Sequence, residues 1–311
     1  MIRNGLIAGL VLLLTTSCLT KSYEKNILPD VPRGYEAMTV TGTPLKATEP
    51  SPSAVEKLAV AKEEWKADET NADKLIWYGR WLAYNGRYRD AIEVFSRGQY
   101  EHIEDMRMPR HLGHRYITIR EFDRAISNLE YAALHVSSVP DQVEPDGMPN
   151  AMNIPVSTLN SNIFYHLGLA HYLKGNLELA LEAWTGDLSL AVNDDMKVAT
   201  LHWVYMTLRE LGRPQEAFEA LADVTADMTI IENQAYHKLC LFYKGEISVE
   251  QLTGGEYSDI MNDGMLYGIG NWYLYNNSDP ETAKEYFNKI FVAGAWASFG
   301  YIAAEVKSAG M

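Results

Sequence analysis

Small, aromatic and aliphatic residues return in a fixed order along most of this chain. "LIWYGRWLAYNGRYRDAIEVFSRG" carries Gly79, then Gly86, Tyr88, Ala91 and Phe95. "RHLGHRYITIREFDRAISNLEYA" carries Gly113, Phe122, Ala125 and Leu129, and "FYHLGLAHYLKGNLELALEAW" carries Gly168, Gly175, Leu177, Ala180 and Trp184. In each, an alanine follows the first glycine by twelve residues and a large apolar residue follows the alanine by four. "LHWVYMTLRELGRPQEAFEAL" keeps Gly212, Ala217 and Leu221, with Tyr205 in the first glycine's place. "GNWYLYNNSDPETAKEYFNKI" keeps Ala283 and Phe287, and its Asp279 and Pro280 suit the N-cap and first position of a helix. Apolar positions three and four apart place one buried stripe on each helix, so the chain reads as antiparallel helix pairs in series.

These residues resemble the tetratricopeptide repeat, in which L-G-x-x-Y is followed by A-x-x-x-F with a period of 34 residues. Small residues let the two helices of a pair approach, and large apolar ones fill the groove between pairs. Ala91 and Ala125 are 34 residues apart, and Ala180 and Ala217 are 37 apart. Ala217 and Ala283 are 66 apart, so a degenerate repeat is expected near residues 231–258. The resemblance covers about residues 71–292. It implies an all-α, right-handed superhelical array of five to six repeats. A helix over 53–68 should cap its N-terminal end, and "AWASFGYIAAEVK" at 295–307 its last apolar face. Ser53 and Glu56 in "SAVE" have the spacing of a capping box for the first of these.

One interval breaks the period. Ala125 and Ala180 are 55 residues apart, a surplus of 21 over one repeat that falls at about 139–160. The stretch includes "VEPDGMPNAMNIP", rich in proline and turn formers. A loop this long in a compact array is commonly functional. It is expected to fold back into the groove and narrow it to a pocket.

The chain opens "MIRNGLIAGLVLLLTTSCLT": a positive Arg3, an apolar run from Gly5 to Leu14 too short to span a bilayer comfortably, and small residues leading to Cys18. This resembles a bacterial lipoprotein signal, although Thr15 stands where a leucine is usual. The resemblance implies a signal peptide over 1–17 and a lipid on Cys18. It also implies anchoring in the cell envelope, at the outer membrane because Leu19 is not the aspartate associated with inner-membrane retention. Residues 18–52, interrupted by Pro29, Pro32, Pro44, Pro50 and Pro52, read as a flexible tether to a repeat domain over 53–311.

Loss of residues 1–17 takes the formal charge from −14 to −15. No basic cluster offsets it, so nucleic acid is excluded as a natural partner. Cys240 is the only other cysteine, so the domain rests on its apolar core, with 47% hydrophobic residues in the chain.

With the first glycine of each repeat as reference, the concave surface gathers Ile76, Trp77, Arg80 and Ala83 in the first repeat. The second supplies Arg110, His111, His114 and Ile117, and the third Tyr165, His166, Leu169 and Tyr172. The fourth supplies His202, Trp203, Met206 and Arg209, and the weak fifth Glu232, Asn233 and Tyr236. Four of the eight histidines fall here. Aromatic rings, imidazoles and arginines form a recognition surface more than a merely solvated one. Glu144, Asp146, Asn150 and Asn153 of the inserted loop are its candidate anchors.

The candidate ligand-binding set is therefore Trp77, Arg80, Arg110, His111, His114, Glu144, Asp146, Asn150, Tyr165, His166, His202, Trp203, Glu232 and Tyr236. His111 and His114, at i and i+3, share a helical face and are weak metal candidates, with Glu144 or Asp146 as oxygen donors. No cofactor fingerprint, P-loop, G-x-S-x-G or H-E-x-x-H occurs, and no catalytic residue is assigned. The expected function is an exported scaffold that holds an envelope protein, a peptide or a small ligand in its groove. The alternative is an enzyme or metal-dependent binder using the same groove.

Overall fold

The computed structural model describes residues 26–136, 140–145, 149–254 and 261–311. Among them are fourteen α-helices and one two-stranded hairpin. Cys18 and Asp146 lie outside the described residues.

Helix α1 (Pro52–Ala67) precedes six pairs: α2 (Ala72–Tyr84) with α3 (Tyr88–Glu101), α4 (Arg107–Thr118) with α5 (Phe122–His135), and α6 (Leu159–Lys174) with α7 (Leu177–Leu190). The remaining pairs are α8 (Asp194–Glu210) with α9 (Pro214–Ala220), α10 (Gln234–Tyr243) with the short α11 (Val249–Thr253), and α12 (Asp263–Trp272) with α13 (Pro280–Ala293). Helix α14 (Phe299–Ala309) ends the array. The degenerate fifth pair sits where the 66-residue interval requires it.

The repeat pattern is the packing code. Ala91, Ala125, Ala180, Ala217 and Ala283 are fully buried. The glycines admit large residues from the second helix of the pair: a Cβ on Gly113 would lie 2.3 Å from Leu129 Cγ, and one on Gly168 would lie 2.3 Å from Trp184 Nε1. Side-chain caps start the first helices of successive pairs, with Asn71, Thr158, Asn193 and Asn262 each accepting a backbone N–H two or three positions inside the helix. Asp279 and Pro280 open α13 as expected. Helix α1 starts differently: Ser51, not Ser53, is its N-cap and accepts the Ala54 N–H, with Pro52 in the first turn. Proline loses nothing there, because its missing N–H would have had no helical partner.

The ends of the array depart most from expectation. In its described part, residues 26–51, the expected tether is docked. Its hairpin pairs Ala37–Met38 with Pro44–Leu45. The Glu36 carboxylate accepts the Arg89 N–H at 3.0 Å, and Arg89 donates to the Pro29 carbonyl at 2.9 Å. Asn26 bonds Ser96, Tyr116 and Arg124. The prolines do not free this segment, because its polar groups find partners on three helices. Helix α14 begins at Phe299, later than expected, after a turn. It packs on α12 and α13, yet its other side meets the beginning of the chain. The Glu305 carboxylate accepts the Val40 N–H and pairs with Arg120, and Trp296 donates to the Lys46 carbonyl. The array is a closed coil whose ends are joined.

Candidate functional site

Among the described residues, the concave side of the coil holds a partly open cavity of about 360 Å³. Helices α2, α4, α6 and α8 form its wall. The inserted loop and α14 close it.

The loop is held by charge. Glu144 is buried, and its Oε2 lies 3.0 Å from Arg110 Nε. It also accepts from Asn162 Nδ2 at 2.9 Å. Arg80 Nη1 donates to the Pro145 carbonyl at 2.6 Å, and Val143 pairs with Thr158 across the loop's neck. Asn150 reaches Glu232 at 3.4 Å at the rim. Burying the Arg110–Glu144 pair costs solvation of both ions, so it holds only while both partners remain. From the opposite side α14 inserts Phe299, whose ring centroid lies 5.0 Å from that of His114 and 5.4 Å from that of His166.

Hydrogen bonds fix the imidazole tautomers. A guanidinium can only donate, so Arg110 Nη1 at 3.1 Å makes His111 Nδ1 an acceptor and leaves the proton on Nε2, facing Glu144 Oε1 at 3.6 Å. A carbonyl can only accept, so His166 donates Nδ1–H to Asn162 O at 2.5 Å. Its Nε2 is then a lone pair, buried and without a hydrogen-bond partner. Burial, reinforced by nearby guanidiniums, holds His111, His114 and His166 well below the ordinary imidazole range, so all three are neutral.

The structure brings several of the expected residues together on the cavity wall: Arg80, Arg110, His111, His114, Glu144, Tyr165, His166, Glu232 and Tyr236 all line it. Asn150 braces the rim. Three expected members do not line it. Trp77 faces the groove between α1 and α2, with the Arg80 guanidinium 4.6 Å above its ring. Trp203 is core, stacked 6.0 Å from Trp184, its indole N–H donated to the Tyr165 hydroxyl. His202 is fully buried, bonded to Tyr243 and beneath Tyr236. The reason is curvature. In a coil this tight, successive first helices touch one another, and part of each expected concave stripe becomes contact surface. His111 and His114 both line the cavity but meet different rings, His111 stacking on Phe95 and His114 meeting His166. Among the described residues no group of three or more His, Cys, Asp or Glu is placed to hold a metal ion.

Several lining residues were not anticipated, among them Phe299, Asp187, Met196 and Arg115. Phe299 comes from the closing helix. Asp187 projects from a second helix, α7, and accepts from the Ser161 and Thr200 hydroxyls at 2.6 and 2.5 Å. Burial raises its pKa to about 6. Met196 is a further apolar wall residue, on α8. Arg115 stands two residues after Gly113, off the counted register, with its guanidinium 5.7 Å from the Tyr88 ring. Among the described residues no carboxylate pairs with it, and burial lowers its pKa to about 10.

No family model matches the chain. Over 159 residues, 51% of its length, it is 27% identical to BBSome complex member BBS4 of Bos taurus, and it spans about a quarter (26%) of that relative. Solved structures with a similar arrangement include MamA (AMB-1), with a TM-score of 0.42 and 17% identity over 54% of this chain and 85% of that one. Another is YrrB, described as a TPR protein with an unusual peptide-binding site, with a TM-score of 0.42 and 16% identity over 80% and 97% of the respective chains. The six helix pairs, with alanine and glycine contacts recurring at positions that resemble the tetratricopeptide repeat, make this chain an all-α solenoid.

Proposed function

We propose that this protein is a non-catalytic binding module, exported and lipid-anchored through Cys18, that encloses a small ligand or a short chain end. The observation that carries the reading is the closure of the groove. Glu144 and Pro145 lie on one side of the cavity and Phe299 on the other, where an extended peptide would otherwise run. A volume of about 360 Å³ falls in the range of small-molecule sites. Polar groups converge on an aromatic lining, as recognition requires, and the Ser161 and Thr200 hydroxyls both donate to the buried Asp187 carboxylate. The signal-like N-terminus supports export, and an envelope partner is the natural recipient of whatever is held.

Native mass spectrometry of protein purified from its own envelope, without refolding, tests this. The wild type should carry a non-covalent mass, and Ala199→Phe, which fills the cavity from α8, should lack it. A bare wild-type chain that instead retains a protein partner equally well with Ala199→Phe would overturn the closed-cavity reading.

A further inference from the structure

The cavity holds two unanswered polar groups on adjacent helices, and together they describe a ligand. Arg115 of α4 lines it with no carboxylate partner among the described residues, its guanidinium 5.7 Å from the Tyr88 ring and the Arg80 and Arg110 charges close by. His166 of α6 lines the same cavity, and its Nε2 lone pair, just beneath the surface of the wall, is satisfied by no described residue. These are independent defects. An unpaired cation in a partly dry cavity asks for an anion. A buried acceptor asks for an N–H or O–H donor. The remaining surface supplies an apolar bed: Tyr84, Tyr165, Tyr236 and Phe299 line the same space.

Resting on the closed-cavity reading, we infer that the site takes a small aromatic or branched carboxylate bearing a neighbouring hydroxyl or amino group, its carboxylate on Arg115 and its donor on His166 Nε2. A planar guanidinium matches a carboxylate with two parallel hydrogen bonds. A doubly charged phosphate is disfavoured, because the Glu144 carboxylate is fixed in the same wall. Arg80 is held by the Pro145 carbonyl and adds its positive charge to the same wall.

Calorimetric titration of the unliganded chain with four matched probes tests the assignment: 3-phenyllactate, 3-phenylpropionate, 3-phenyllactamide and phenyl phosphate. Phenyllactate should bind best. Removing the hydroxyl or neutralising the acid should each weaken binding by about tenfold or more, the scale of a lost hydrogen bond to a buried or charged group. Arg115→Gln should abolish the advantage of the acid over the amide. His166→Phe keeps a ring against His114 and Phe299, and it should abolish the advantage of phenyllactate over phenylpropionate. Arg115→Gln should leave the unliganded melting temperature unchanged or raised, because an unpaired buried cation contributes no stability. Equal affinity for acid and amide, tighter binding of phenyl phosphate, unaltered selectivity in either variant, or no binding by any probe would overturn the inference. A bound neutral or cationic mass in the native spectrum would overturn it too, while leaving the closed-cavity reading intact.

Discussion

Arg120 and Glu305 are 185 residues apart in the chain, yet their side chains form a buried ion pair with an Nη2–Oε2 distance of 2.7 Å. The same guanidinium donates to the Trp296 and Thr118 carbonyls, and the other Glu305 oxygen accepts the Val40 N–H. One contact thus joins the docked N-terminal segment, the second repeat and the last helix. A linear solenoid would share stability only between neighbouring repeats. This one adds a closing contact that makes its ends cooperative. Glu305→Gln leaves an uncompensated buried guanidinium and should cost about 3–5 kcal/mol. Urea unfolding followed by fluorescence and by circular dichroism should give one transition for the wild type and a separated, earlier loss of α14 for the variant.

Glu144→Gln should free the inserted loop while sparing the array. The Leu159 amide bonds the Gln142 carbonyl, and the Glu144 amide bonds the Ser157 carbonyl, across the loop's neck. Hydrogen exchange at these amides should accelerate by at least about tenfold, with protection in α12 and α13 unchanged. Unchanged exchange at the neck would show that the charge pair does not hold the loop.

Glycine-to-alanine substitution reads the helix approaches. Gly113→Ala brings a methyl group within 2.3 Å of Leu129, a fully buried side chain, so α4 and α5 must part. The expected loss is about 1–3 kcal/mol, measured as a lower urea midpoint. Gly212→Ala tests a different property: φ is +72° there with open space around it, so only the backbone conformation is strained, and about 1 kcal/mol is expected.

The neutral histidines predict the acid limit of the fold. His111, His114, His166 and His202 have folded pKa values depressed by burial, the last to about 3. Unfolding lets all four take up protons below their ordinary value near 6.5. Asp187 acts in the opposite sense: its raised pKa of about 6 makes the folded state the better proton binder between about pH 4 and 6. The imidazoles that gain protons on unfolding outnumber the carboxylate that loses one, so stability should fall as the pH drops below about 6.5. Asp187→Asn should remove the opposing contribution and steepen the fall. A flat stability profile from pH 7 to 4 would contradict the burial of these imidazoles.

Cys18→Ser separates export from anchoring. The wild-type chain should be recovered from membranes with a mass increment of lipid on an N-terminal cysteine, and the variant should lack both. Recovery of unmodified wild-type chain from the soluble fraction would contradict the lipid anchor.

The repeat and its interruption were legible because both are local. Alanine at 91, 125, 180, 217 and 283 reports a contact within one helix pair, and a 21-residue surplus is visible as arithmetic in the chain. The position of the loop over Arg110 was legible from its acids and prolines. Contacts between distant residues were not. Nothing near Glu305 names Arg120, and nothing in "AWASFGYIAAEVK" shows that Phe299 will meet His114 across the coil. The concave register also assumed an open superhelix. Once the coil tightens, Trp203 and His202 turn into contact surface and Arg115 enters the cavity from outside the counted positions. Proline-rich composition misled at residues 26–51 for a related reason: docking depends on partners that lie far along the chain.

A groove that encloses a small ligand should show it in a crystal structure of protein purified unrefolded from its own envelope. Density for a compact molecule is expected between Arg115 and His166, with the loop closed on Arg110 and Phe299 in place. A cavity holding water alone, with the loop swung aside and a peptide lying along α4 and α6, would contradict it.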